Sequence, residues 1–173
     1  MSAIERARAV RLMAFDVDGV LTDGRLYFGA TGEETKAFHT RDGHGMKLLQ
    51  AAGVQLAIIT GRSARAVELR AQNLGITRVR QGIEDKRSAL AELAGSLGID
   101  LAQSGYMGDD VVDLPVLRAC GFSASVPDGH PLVRSAVDYV SGAPAGAGAV
   151  REVCEFILRA QGRLDEAMAP YLE

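Results

Sequence analysis

Apolar residues gather in short continuous runs that alternate with longer stretches of helical period. Residues 10–17 (VRLMAFDV) and 54–60 (VQLAIIT) are mostly apolar on both alternating sets of positions, which predicts strands buried on two faces. Residues 104–107 and 122–126 read the same way with less contrast. Between these runs, residues 46–52, 63–74, 86–97, 111–119 and 149–160 carry amphipathic helical patterns. Helices between buried strands require parallel crossovers, so the predicted fold is an α/β sandwich of three layers around a central parallel sheet. Gly53, Gly75 and Gly98 each follow a helical stretch, where a left-handed cap favours glycine.

Three segments leave this alternation. Residues 24–40 (GRLYFGATGEETKAFHT) hold two β-rich runs around Gly-Ala-Thr-Gly and predict a projecting β-hairpin. Residues 141–148 (SGAPAGAG) read as a loop, and residues 162–173, with Pro170 and little periodicity, as a mobile tail. At 173 residues the chain reads as one domain, 1–173. A net charge of −3 gives no reason to expect nucleic acid, and no apolar run reaches the roughly 20 residues of a membrane span. Two cysteines, Cys120 and Cys154, are too few to staple a secreted scaffold, and both read as buried thiols; the expected location is cytoplasmic.

Candidate chemistry sits at strand ends. Asp16 closes the first apolar run, Asp18 follows two residues later, and Gly19 lets the chain turn and expose both. A second cluster, Gly108-Asp109-Asp110-Val111-Val112-Asp113, closes another predicted strand. In open parallel sheets ligands bind beyond the carboxyl ends of strands, so five carboxylates converge on one edge. Their repulsion calls for a cation, and an all-oxygen donor set points to a hard ion, Mg²⁺ first. Thr60, at the end of the second run before Gly61 and Arg62, reads as a phosphate cradle or as a simple helix cap. Lys86 opens a predicted helix, where a cation opposes the dipole and needs an anion beside it. Arg62 and Arg70 lie on one predicted helical stretch, about 80° apart around its axis, and both can face one cleft.

Taken in order, Asp16/Asp18, Thr60, Lys86 and the acidic cluster resemble the haloacid dehalogenase superfamily of phosphohydrolases. The longer match, from Asp-Val-Asp-Gly-Val-Leu-Thr-Asp-Gly through Lys36-Ala37-Phe38 and Arg41-Asp42-Gly43-His44-Gly45 to residues 146–155 (GAGAVREVCE) and 161–165, is similar to the 3-deoxy-D-manno-octulosonate 8-phosphate phosphatases. Ala145 departs from the glycine usual there.

The resemblance implies a Rossmann-like, capless fold. Asp16 is the implied nucleophile that forms an aspartyl-phosphate, and Asp18 the implied acid and base. The phosphate would lie against Thr60 and Lys86. Mg²⁺ would lie between the carboxylates of Asp16 and Asp109 and the carbonyl of Asp18, with Asp113 orienting Lys86 or a water. The sugar acid would meet Asp18, His39, Thr40, Arg41, Asp42, Gly43, Lys47, Arg62, Arg70 and Lys86. The implied substrate is an acidic keto-sugar phosphate whose product is a lipopolysaccharide precursor.

Two alternatives stay open. Relatives of this family act on nine-carbon neuraminate 9-phosphates. Phosphoaspartate receiver switches also combine acids, Thr, Lys and Mg²⁺, although an Asp two residues after the nucleophile favours turnover. The gaps from Asp18 to Thr60 and from Thr60 to Lys86 leave no room for a cap domain, so an exposed site needs other cover. Leu26, Tyr27, Phe28 and Phe38 make the hairpin too apolar for solvent. The expected solution is a homo-oligomer, a tetramer by resemblance, whose neighbours complete each site. His130 reads as a loop residue.

Overall fold

The computed structural model describes residues 1–172. Its strands are β1 (Leu12–Phe15), β2 (Tyr27–Phe28), β3 (Glu34–Thr35), β4 (Gln55–Ile59), β5 (Arg78–Arg80), β6 (Ser104–Met107), β7 (Phe122–Ser125) and β8 (Tyr139–Val140). The helices are α1 (Ala3–Arg8), α2 (Thr40–Ala51), α3 (Arg65–Leu74), α4 (Lys86–Ser96), α5 (Leu114–Ala119), α6 (Pro131–Arg134), α7 (Ala149–Ala160) and α8 (Leu164–Met168). Six strands run parallel in the order β5-β4-β1-β6-β7-β8, while β2 and β3 pair antiparallel as a separate hairpin.

The continuous apolar runs have the predicted cause. Met13 and Phe15 of β1, with Leu56 and Ile58 of β4, face a core shared with α2, α3 and α7. Leu12, Ala14, Ala57 and Ile59 face a second core under α4 and α5. Each central strand therefore buries both of its faces, which is the three-layer arrangement. The sequence pattern does not reveal β5 and β8. Both lie at the sheet's edges, are only three and two residues long, and keep partly exposed positions.

Helix α2 begins six residues before the periodicity shows it, because Gly43 and Gly45 interrupt the pattern. Gly45 is demanded by packing, and at Gly43 a side chain would have to push Arg70 aside. A Cβ on Gly43 would lie 2.3 Å from Nη2 of Arg70, and one on Gly45 would lie 2.9 Å from Cα of Arg151. Asp42, one residue earlier, is buried, and its carboxylate accepts the backbone N–H groups of Arg151 at 2.9 Å and Gly148 at 3.4 Å. Helix α7 has glycine at its own N-cap and no side-chain cap of its own, so α2 supplies one. Asp42→Ala is expected to cost about 1–3 kcal/mol of stability, the usual penalty for orphaned buried amides. Urea unfolding measures it.

The stretch 162–173, read as a tail, carries α8 and a turn at Ala169–Tyr171; Glu173 lies outside the described residues. Leu164, Ala167 and Met168 pack on the core, and Arg163 donates to the carbonyl of Ala52. The hairpin exposes Leu26, Tyr27 and Phe28 at 42, 44 and 63%. Phe38 differs from the expectation: it packs against the core, with the Arg70 guanidinium 5.8 Å from its ring. No helix among the described residues is long and apolar enough to cross a membrane.

Candidate active site

After β1 the chain goes to β4 and β5 on one side of it, then crosses to β6 on the other, so the order reverses between β1 and β6. Ligand crevices in open α/β sheets form at this place, outside the carboxyl ends of the strands. The register fills it. Phe15 pairs with Ile58 and Met107, so Asp16 lies one residue past that row, and Thr60 and Asp109 two residues past it.

Asp16 is held from several directions. Its N–H donates to the carbonyl of Met107 at 3.0 Å, and its Oδ1 accepts the N–H of Val17 at 2.7 Å. Lys86 Nζ lies 2.7 Å from Oδ2 of Asp16 and 2.6 Å from Oδ1 of Asp113. The anion required beside a lysine at the first position of α4 is thus a pair of buried carboxylates. Asp113, fully buried, also accepts the N–H groups of Asp109 at 3.1 Å and Asp110 at 3.3 Å on its other oxygen. The turn after Asp16 places Gly19 at φ +84°, and a Cβ there would lie 2.1 Å from Oδ2 of Asp109. Glycine at 19 is therefore what lets the two acidic loops meet.

One buried cation does not neutralise this cluster. Burial, then repulsion from Asp113, pushes the Asp16 carboxyl up to about 6 despite Lys86. Burial, then Asp16 and Asp113, pushes Asp109 up to about 7. Burial opposes the charge on Lys86, yet Asp16 and Asp113 more than offset it and hold the ammonium above its ordinary value. Oxygens of Asp16, Asp109 and Asp113 all lie within 4.8 Å of one another. Each oxygen of Asp113 already meets two donors (Lys86 and Tyr106 on one, two backbone amides on the other), each oxygen of Asp16 meets one, so Asp16 and Asp109 have more room for an ion than Asp113. A hard divalent cation such as Mg²⁺ fits this oxygen set and its excess negative charge.

A cleft of about 430 Å³ is lined by Asp16, Asp18, Thr60, Arg62, Lys86 and Asp109 among others. Thr40, Gly43, Lys47 and Arg70 line a different, smaller hollow of about 190 Å³ with His44. The predicted sugar-binding residues therefore fall into two places. Arg62 precedes α3 and is not on it, so the helical spacing to Arg70 does not bring both into one cleft. Arg62 pairs with Glu34 at 2.6 Å, while Arg70 donates to the carbonyl of His39 at 3.1 Å. His39 caps α2, its Nδ1 accepting the N–H of Arg41 at 3.2 Å, and Arg41 is exposed. Asp42 turns its carboxylate into the seam with α7.

Sequence reasoning missed two residues here. Tyr106, wholly buried in β6, places its hydroxyl 3.1 Å from the carbonyl of Ile59 and 3.2 Å from Asp113. Lys36 of the hairpin has a side chain only 1% exposed and meets Asp18 at 2.5 Å. The alternation Glu34-Thr35-Lys36, with two opposite charges on one side of a strand, was the signal available for the latter. The other candidates have local roles. His130 Nδ1 accepts the N–H of Leu132 at 3.2 Å, and burial pushes the Cys120 thiol up to about 12.

A family profile for haloacid dehalogenase-like hydrolases matches residues 79–153. The 3-deoxy-D-manno-octulosonate 8-phosphate phosphatase KdsC of Escherichia coli K12 is 48% identical over 164 residues, spanning 95% of this chain and 87% of that protein. The crystal structure of the phosphatase of that name from Moraxella catarrhalis, in complex with magnesium, phosphate and KDO, is 46% identical. It superposes with a TM-score of 0.96 over 98% of this chain and 97% of its own. The cobalt-bound enzyme from Haemophilus influenzae is 41% identical with a TM-score of 0.89, covering 92% of this chain and 94% of its own.

Proposed function

The chain belongs to the haloacid dehalogenase-like family of 3-deoxy-D-manno-octulosonate 8-phosphate phosphatases, and from that premise we propose that it is a Mg²⁺-dependent phosphomonoesterase for this eight-carbon sugar acid phosphate. The observation that carries the reading is the single cleft in which Asp16 meets Lys86, Asp109 lies opposite, and Asp18 stands two residues on.

Asp16 attacks phosphorus in line, forming an aspartyl-phosphate as the bond from phosphorus to the sugar oxygen breaks. Asp18 gives its proton to that oxygen. Asp18 then takes a proton from the water that attacks phosphorus, which frees inorganic phosphate and returns Asp16 as a carboxylate. Thr60, the amides after it and the Lys86 ammonium face the phosphoryl oxygens, where transition-state charge is spread. Asp113 holds Lys86 and the amides of the acidic loop in place. Bound between Asp16, Asp109 and the carbonyl of Asp18, Mg²⁺ would supply the positive charge that lets a carboxylate approach an anionic phosphate. A receiver-type switch has no use for Asp18 at this position. The product would be a free sugar acid, a lipopolysaccharide precursor. A cytoplasmic location agrees with two buried free thiols.

The substrate carries a carboxylate as well as a phosphate, and among the described residues lining the phosphate cleft the cations are Lys86 and Arg62. The hollow with Lys47 and Arg70 has the chemistry for that carboxylate, contributed by a neighbouring copy. The exposed Leu26, Tyr27 and Phe28 of the hairpin supply the assembly surface, and four copies around an axis is the arrangement proposed. Light scattering is expected to give a mass roughly four times 18.3 kDa. Arg70→Ala is expected to raise KM for the eight-carbon substrate about 10- to 100-fold, the worth of one charge-assisted contact, and to leave p-nitrophenyl phosphate turnover unchanged. Equal turnover of eight-carbon, nine-carbon and simple sugar phosphates would remove the substrate assignment.

A further inference from the structure

The hairpin does more than project an apolar edge. Strand β3 and the residue after it send Glu34 and Lys36 back toward the nucleophile loop. Lys36 is the most deeply covered charge of the hairpin, and its Nζ sits between Oδ1 of Asp18 at 2.5 Å and Oε1 of Glu34 at 2.6 Å. The other oxygen of Glu34 takes Arg62 at 2.6 Å, beside the Thr60 end of β4. An unbroken line of alternating charges, Asp18–Lys36–Glu34–Arg62, therefore joins the two loops that border the cleft. Its two middle members both come from the hairpin.

Asp18 is left with one oxygen bound and one free. Oδ2 is buried and has no hydrogen-bond partner among the described residues. Buried carboxylate oxygens are almost always satisfied, and Asp18 lines the cleft, so its unpartnered Oδ2, closed to solvent in this state, is the oxygen left for a ligand atom to meet as the cleft fills. A carboxylate gripped at neither oxygen would also rotate freely about its last torsion, which is a broad, two-fold well.

We infer that Lys36 is a positioning residue for Asp18: by holding Oδ1 it presents Oδ2 to the leaving oxygen of the substrate. The inference rests on the reading of Asp18 as the acid and base of a phosphatase. It gives the hairpin a part in the chemistry, because the side chain that sets the angle of Asp18 reaches the site only when β2 and β3 are paired and seated. Lys36 is not among the residues that line the cleft and acts through Asp18, so its removal slows the step that needs a proton and spares the step that does not.

The test is a cycle of Lys36→Met, Asp18→Asn and the double variant, assayed with the eight-carbon sugar acid phosphate and with p-nitrophenyl phosphate. The sugar alkoxide needs protonation as it leaves, whereas p-nitrophenolate leaves without it. Lys36→Met is expected to lower kcat for the sugar phosphate about 10- to 100-fold, the worth of one charged hydrogen bond, with KM changed less than about 3-fold. The pre-steady-state burst of p-nitrophenolate is expected to keep its rate. Added to Asp18→Asn, Lys36→Met should lower kcat by less than about 2-fold, because its effect runs through that carboxylate. Should Lys36→Met not fold, Lys36→Gln is read by the same criteria. A wild-type kcat, a loss that multiplies in full on Asp18→Asn, or an equal loss in the p-nitrophenolate burst would overturn the inference. If Asp18→Asn itself leaves sugar phosphate turnover intact, the reading of Asp18 as the acid and base fails, and the inference with it, while the phosphatase reading stands on Asp16.

Discussion

Asp16→Asn is expected to abolish phosphate release, by more than about 10³-fold, with the fold intact. The amide is a poor nucleophile and cannot form the aspartyl-phosphate, so no second step exists to be rescued. The fold is expected to survive because the single amide oxygen still accepts either the N–H of Val17 or the ammonium of Lys86, which meet different oxygens of Asp16, so only one of the two acceptors is lost. Lys86 keeps its second partner, Asp113. In the absence of metal the variant is expected to melt no lower than the wild type, since it removes a buried carboxylate held at about 6 by burial and by Asp113. Lys86→Met is the contrasting case. It leaves Asp16 and Asp113 buried together with no cation between them, and both activity and melting temperature should fall. Steady-state phosphate release and a thermal melt in EDTA separate the two variants. Residual activity of Asp16→Asn above a few per cent is incompatible with a covalent path through Asp16.

The parts of this site that were legible in the sequence are those fixed by strand ends. Asp16, Thr60 and Asp109 each follow a run of apolar residues, and parallel pairing at matched register brings three such ends to one edge whatever the loops do. From its residues alone Lys86 was legible as a discord, a cation at a helix start; its pairing with Asp113 came through the resemblance, because no periodicity marks that buried acid. The hairpin's place in the site was not legible. Lys36 and Glu34 reach Asp18 and Arg62 through a fold-back of a two-stranded unit, and the angle of such a unit depends on contacts, not on local pattern. The helical spacing of Arg62 and Arg70 misled for a related reason. Gly61 and Ser63 keep Arg62 in the connection from β4, so the helix starts too late to carry both. Early α2 was hidden because Gly43 and Gly45 serve the approach of Arg70 and Arg151 rather than a helical face.

Magnesium is expected to stabilise the protein strongly above neutral pH and little in mild acid, because the ion and protons compete for the same oxygens. In the metal-free protein Asp16 is pushed up to about 6 and Asp109 to about 7, against 3.8 for each when exposed in the unfolded chain. Their folded forms thus bind protons more tightly than their unfolded forms. The stability this contributes is complete below the unfolded value and is lost as pH rises through 6 to 7. Without metal, the melting temperature should therefore decline from the unfolded value of 3.8 up to about 7, as Asp16 and Asp109 lose their protons in one buried cluster. Metal reverses the slope, since the ion binds the ionised carboxylates that destabilise the empty site. At an ion concentration about 100 times Kd, ligand binding adds about 2.7 kcal/mol, or roughly 5–10 °C for a chain of this length. That shift is expected at about pH 8 and should shrink to a small fraction by about pH 5.5. EDTA should silence turnover at every pH, excess Mg²⁺ should restore it, and Asp109→Asn should remove the thermal shift without unfolding the protein. A Mg²⁺ shift of equal size at both pH values, or one that survives Asp109→Asn, would mean that the ion is bound by other oxygens than these.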